Sequence, residues 1–150
     1  MHLVNFGHPE NYGIEIDAYG VVWNLHDSQF QFLRQDIVKG TVELRWELSE
    51  YHKASGQYPS YRFSILFSEV SQFEICPRDT KMPRNEDECL ELFQRVDNPA
   101  SLTAPASLGR SSMMPLQPDY LMLFEFHGGQ KILIGAETAT FVLLSNTDND

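Results

Sequence analysis

A chain of 150 residues, 42% hydrophobic and 12% aromatic, is the size of one ordinary domain and can bury roughly 70% of its unfolded surface, which excludes global disorder. Its 21 Asp and Glu against 11 Lys and Arg leave a net charge of −10, which repels nucleic-acid phosphates and anionic membranes and attracts basic partners. The apolar runs, such as 121–124, fall far short of the ~20 residues of a membrane helix, and residues 1–6 lack the segments of a secretion signal, so a cytoplasmic protein is expected.

In chain order, the first strand signal is Ile14 and Ile16 alternating with Glu15 and Asp17. A strand over 30–38 leads through Lys39-Gly40, where glycine supplies the positive φ of a tight turn, into 41–48. There Val42, Leu44, Trp46 and Leu48 alternate with Thr41, Glu43, Arg45 and Glu47, which predicts a buried face and an exposed one. Tyr61, Phe63, Ile65 and Phe67 alternate in the same way, and a polar break after Val70 precedes another strand over 71–75. Asn85 as N-cap, Glu88 three residues later, and Cys89, Leu92, Phe93 and Val96 at helical spacing predict a short helix near 86–96. Residues 98–118 carry Pro99, Pro105, Pro115 and Pro118 and read as a Pro-rich loop insert. His127-Gly128-Gly129-Gln130 turns a strand over 120–126 into one over 131–135, and 138–144 is a last strand. The expected fold is mainly β (α+β), an antiparallel sandwich or strongly curved sheet of seven or eight strands with that one helix, in a single domain over 1–150.

The chemistry-bearing residues are sparse. His26-Asp27-Ser28 holds triad residue types, but neighbours on a strand point to opposite faces, and Asp27 and Ser28 suit side-chain bonds at a turn. Cys76 and Cys89 lack CxxC spacing and read as free buried thiols, a disulfide between them being the alternative. His2, His8, His52 and His127 lack ligand spacing, and no phosphate-binding glycine motif occurs, so no catalytic residue, metal or cofactor is expected. Tyr12, Tyr19, Trp23, Tyr51, Tyr58 and Tyr61 suit sheet packing or an interface. The acidic group Asp79, Glu86, Asp87, Glu88 and Glu91 lacks the glycine and spacing of a calcium loop. Capping and a solvated helix face account for much of it; its functional reading is a partner-binding surface of Asp79, Glu86, Asp87 and Glu91 for a basic protein.

Three segments, Leu25-His26-Asp27-Ser28-Gln29-Phe30, the strand 42–48 and Ile65-Leu66-Phe67-Ser68-Glu69-Val70-Ser71-Gln72-Phe73, together resemble small β-rich bacterial families of unknown function. Some of these are grouped with immunity proteins of polymorphic toxin systems. The resemblance spans about residues 25–75 and carries no site residue over. It implies a non-enzymatic binding protein, an immunity-like inhibitor covering a basic toxin. The alternatives are a small-ligand binder or hydrolase with a cleft under 98–118, using His26 or His127, and a structural component offering a sheet edge.

Overall fold

The computed structural model describes residues 1–7, 15–82, 88–96 and 121–145. Nine strands and one helix follow one another among them: β1 (His2–Val4), β2 (Glu15–Ala18), β3 (Val21–Asn24), β4 (Ser28–Asp36), β5 (Thr41–Leu48), α1 (Glu50–Ser55), β6 (Arg62–Cys76), β7 (Leu90–Val96), β8 (Leu121–Phe126) and β9 (Lys131–Leu144). The main sheet has seven strands in the order β4-β5-β6-β9-β8-β7, with β1 joining β9 in parallel; β2 and β3 form a separate antiparallel hairpin. Apart from β1 every pairing is antiparallel, so the mainly-β expectation with a curved sheet holds. Among the described residues, no helix is long and apolar enough to cross a membrane.

The sheet curls until its ends approach. The Phe30 amide of β4 donates to the Glu88 carbonyl, two residues before β7 (3.1 Å), and the Phe30 and Phe126 rings lie 4.8 Å apart. Inside the curl the alternation read from the sequence is realised: Val42, Leu44, Trp46, Phe63, Ile65 and Phe67 are fully buried. The β2–β3 hairpin closes one end, its Trp23 ring 4.9 Å from Phe63 and 5.2 Å from Phe141.

The predicted helix near 86–96 is not formed: the described part, Leu90–Val96, is strand β7, paired with β8. A bulge between Leu90 and Leu92 shifts the parity, so that Leu90 and Phe93 both enter the main core. Val96 lies on the other face, in a second cluster with Leu121, Leu123 and Leu133. Burial at 90, 93 and 96 thereby imitates helical spacing, and periodicity alone does not separate the two. The one helix of the described residues is α1, with Ser49 at its N-cap position and Gly56 left-handed at its end (φ 66°). The polar break expected at Val70 and the division expected between strands 131–135 and 138–144 are not formed, since β6 and β9 are each continuous. The outer side chains of β5 are half-buried rather than exposed. Glu43 pairs with Arg45 (3.1 Å), whose guanidinium lies 4.4 Å over the Phe32 ring, and Glu47 pairs with Lys53 from α1 (2.6 Å). The Pro-rich 98–118 stretch lies outside the described residues.

Candidate functional site

The residues singled out by sequence fall in two places. Asp79 and Glu91 are exposed near the β8–β9 turn: the Asp79 amide donates to the Gly128 carbonyl (3.0 Å), and Glu91 is the bulged residue opposite the end of β8. Glu86 and Asp87 lie outside the described residues, and with 90–96 in a strand the shared helix face proposed for Asp87 and Glu91 has no basis. Cations are interleaved here. Arg78 donates to the Asp79 and Met82 carbonyls, Lys81 donates its amide to the Asp79 carboxylate, and Lys131 pairs with Glu125. The acidity of this end is therefore largely offset.

His26-Asp27-Ser28 is a turn held by Asn24. The Asn24 side-chain oxygen accepts the His26 and Asp27 amides (2.9 and 3.2 Å), its amide donates to the Asp27 carboxylate (2.9 Å), and Ser28 Oγ donates to the Asn24 carbonyl (2.6 Å). His26 Nδ1 meets the Leu90 carbonyl at 2.8 Å; a carbonyl only accepts, so this nitrogen carries the proton. The His127 ring lies 5.2 Å from that of His26, and the His127 amide donates to the Cys89 carbonyl (3.0 Å). Neither the aspartate nor the serine is turned to the imidazole as a triad requires. These contacts hold β3, β7 and β8 together at the seam. Cys76 is exposed and Cys89 half-buried, both as thiols, so the expected burial is not met. Among the described residues no three His, Cys, Asp or Glu gather to hold a metal.

A different surface combines exposure with one sign of charge. On the β2–β3 hairpin, Ile16, Ala18 and Trp23 point to the core, which leaves Glu15, Asp17 and Val22 outward; Val22 is 51% exposed. The strands are in register with Asp17 opposite Val22 and Glu15 opposite Asn24, the residue that holds Asp27. Beside the hairpin a row of rings runs Trp23, Tyr58, His52, Tyr51, with neighbouring centroids 5.0, 5.7 and 5.5 Å apart, and ends on Tyr51 at 82% exposure. The Tyr58 hydroxyl donates to the Val22 carbonyl (3.2 Å). Burial, helped by the negative field of Asp27 and Glu15, raises its pKa and keeps it a neutral donor.

Two signals of this face are present in the sequence, though neither marks it as a site on its own. No Lys or Arg precedes Arg34, while Glu10, Glu15, Asp17 and Asp27 do. Ser49, Glu50 and Gly56 are the start, first-turn acid and stop of a short helix, which places Tyr51 and His52 side by side. Among the described residues a shallow depression of about 210 Å³ lies elsewhere, between the β4–β5 turn and β6, where neither His26 nor His127 lines it. Compared with protein-family models, curated proteins and solved structures, the chain matches none.

Proposed function

We propose that this is a non-enzymatic binding protein that covers a cationic surface of another protein, in the manner of an immunity-like inhibitor of a basic toxin. The observation that supports it is the β2–β3 face, where Glu15, Asp17 and Asp27 stand with no Lys or Arg among residues 15–28, beside exposed Val22 and Tyr51. Carboxylates steer a cationic partner in, and aromatic faces hold arginine and lysine side chains once water is displaced. Tyrosine also supplies contact area at low entropy cost, which suits an anchor. The resemblance over 25–75 points the same way.

Basic proteins encoded beside the gene are the first partners to test, by biolayer interferometry at low and high salt. Reversing both charges in Glu15→Lys/Asp17→Lys should slow association about tenfold and flatten its salt dependence. Tyr51→Ala should instead speed dissociation. Absence of binding by any basic neighbour, or native kinetics in both variants, would overturn the reading.

A further inference from the structure

The strand β6 is longer than the strand it pairs with on one side. It is in register with β5 only from Arg62 to Phe67, and the last backbone bond across that side runs from the Val70 amide to the Gly40 carbonyl (2.9 Å). Beyond it β6 pairs with β9 as far as Cys76, and among the described residues nothing pairs with 71–76 on the other side. Two irregularities produce the opening. Glu69 is left-handed (φ 54°), and Ser71 is skipped in the register between Val70 and Gln72. Irregularities of this kind bend a strand, and they sit where the β5–β6 register has ended and the chain turns from β4 into β5. The depression of about 210 Å³ lies in this notch, with Ile37, Val42, Val70 and Phe73 in its lining. At its rim Ile37 is 83% exposed and Val38 97%, and Ile75 along the edge is 47% exposed.

A tight turn tipped by two branched aliphatics is unusual, because turns favour Gly, Asn, Asp and Pro at such positions. The turn is nevertheless well formed, with the Lys39 amide on the Asp36 carboxylate and Gly40 left-handed (φ 62°). A free sheet edge beside exposed aliphatic side chains is the arrangement that receives an added strand: main-chain bonds bind it, and alternate side chains select it. The edge carries Glu74, whose carboxylate accepts a bond from the neutral Gln72 amide and so keeps its charge, while Asp36 in the lining of the notch is paired with Lys39. Two copies of a chain of charge −10 repel each other, so self-pairing is opposed at range. We infer that the β6 edge from Ser71 to Cys76 binds an extended segment of another protein, one with lysine or arginine opposite Glu74 and aliphatic residues against Ile37 and Phe73.

The test uses the full chain, 15N-labelled, and a capped hexapeptide of alternating lysine and valine, with a glutamate–valine hexapeptide as control. The lysine peptide should shift and protect from exchange every second amide within 71–76, together with amides of the 36–40 turn; the glutamate peptide should not. Glu74→Lys should weaken the lysine peptide about fivefold or more. Ile37→Ser, which removes the aliphatic contact without adding charge, should weaken it too, with the fold intact because Ile37 is largely exposed. Equal binding of both peptides would overturn the proposal, and so would protection without peptide of those alternate amides within 71–76 that face away from β9, which would mean an edge covered by this chain or by a second copy. Shifts confined to Val22, Tyr51 and Tyr58 would also overturn it, while leaving the reading of the β2–β3 face standing.

Discussion

Trp23 and Trp46 are the two tryptophans of the chain, both fully buried, and they differ in one bond. Trp23 Nε1 donates to the Ala18 carbonyl (3.0 Å), whereas Trp46 Nε1 is buried with no acceptor among the described residues. A lost bond that orphans a buried carbonyl costs about 1–3 kcal/mol, while removing a donor that had no partner costs only the lost ring volume. Trp23→Phe should therefore destabilise more than Trp46→Phe, by about 1 kcal/mol or more, in urea titrations followed by circular dichroism. Equal losses would show that the Trp46 N–H has a partner. The ion cluster on the outer face of β5 allows a second residue-scale prediction. The hydrogen bond from Lys53 to Glu47, aided by the charges of Lys53 and Arg62 and opposed by burial, holds the Glu47 pKa below its ordinary 4.5. A depressed folded pKa gives stability that is full above the unfolded value and lost as pH falls through the folded one. Glu47→Gln should accordingly cost about 1 kcal/mol at pH 7, a figure reduced for the partial exposure of the pair. That deficit should shrink toward zero by pH 2–3. A deficit independent of pH would mean that packing, not charge, is what Gln disturbs.

At the scale of elements, the turns separate conformational need from spatial need. Gly56 and Gly129 are both left-handed (φ 66° and 79°). A Cβ on Gly56 meets nothing within 4 Å, whereas one on Gly129 would lie 3.1 Å from Asp79 Cβ and 3.3 Å from Asp79 N. Gly56→Ala should cost about 1 kcal/mol for the backbone alone. Gly129→Ala should cost at least about 1 kcal/mol more, because the Asp79 backbone must move; thermal melts of the two variants side by side settle the order. The same contrast explains what the sequence made legible. Regular alternation, as in Thr41–Leu48, places a strand and its faces, and His127-Gly128-Gly129 places a hairpin. What misled at 90–96 and at 69–71 was a shift of parity. The bulge at Glu91 made Leu90–Val96 resemble a helix, and the irregularity at Glu69–Ser71 made one long strand resemble two. A bulge leaves no composition of its own, and burial on both faces of β7 and β8 removes the alternation that would have exposed it. The β2–β3 face was missed for another reason. Its charge asymmetry was in plain view, but only folding brings α1 and Tyr58 beside it.

Across the whole molecule, the hairpin and the sheet share one core. Trp23 of β3 and Trp46 of β5 both pack on Phe63, with centroids 4.9 and 5.8 Å away, and Phe63 stacks in turn on Phe141 of β9 at 5.1 Å. The ladder between β6 and β9 joins residues as distant as Arg62 and Leu144, and β1 joins His2 to Thr138. Few of these contacts are local, so loop-closure entropy must be overcome before any burial rewards it, and no part has a private core large enough to persist alone. The small β2–β3 hairpin, two four-residue strands, is far below independent stability. The molecule should therefore unfold in one cooperative transition. The two Trp→Phe variants supply the test, because each leaves one tryptophan, at the hairpin or in the middle of the sheet. In each variant the urea midpoint seen by that tryptophan should coincide with the midpoint seen by circular dichroism. Refolding should be single-exponential in the millisecond-to-second range of sequence-distant β pairing. If Trp23 fluorescence in the Trp46→Phe variant changes at lower urea than circular dichroism does, the hairpin loosens first. The acidic face would then be a separately yielding unit carried on the sheet, and not part of its core.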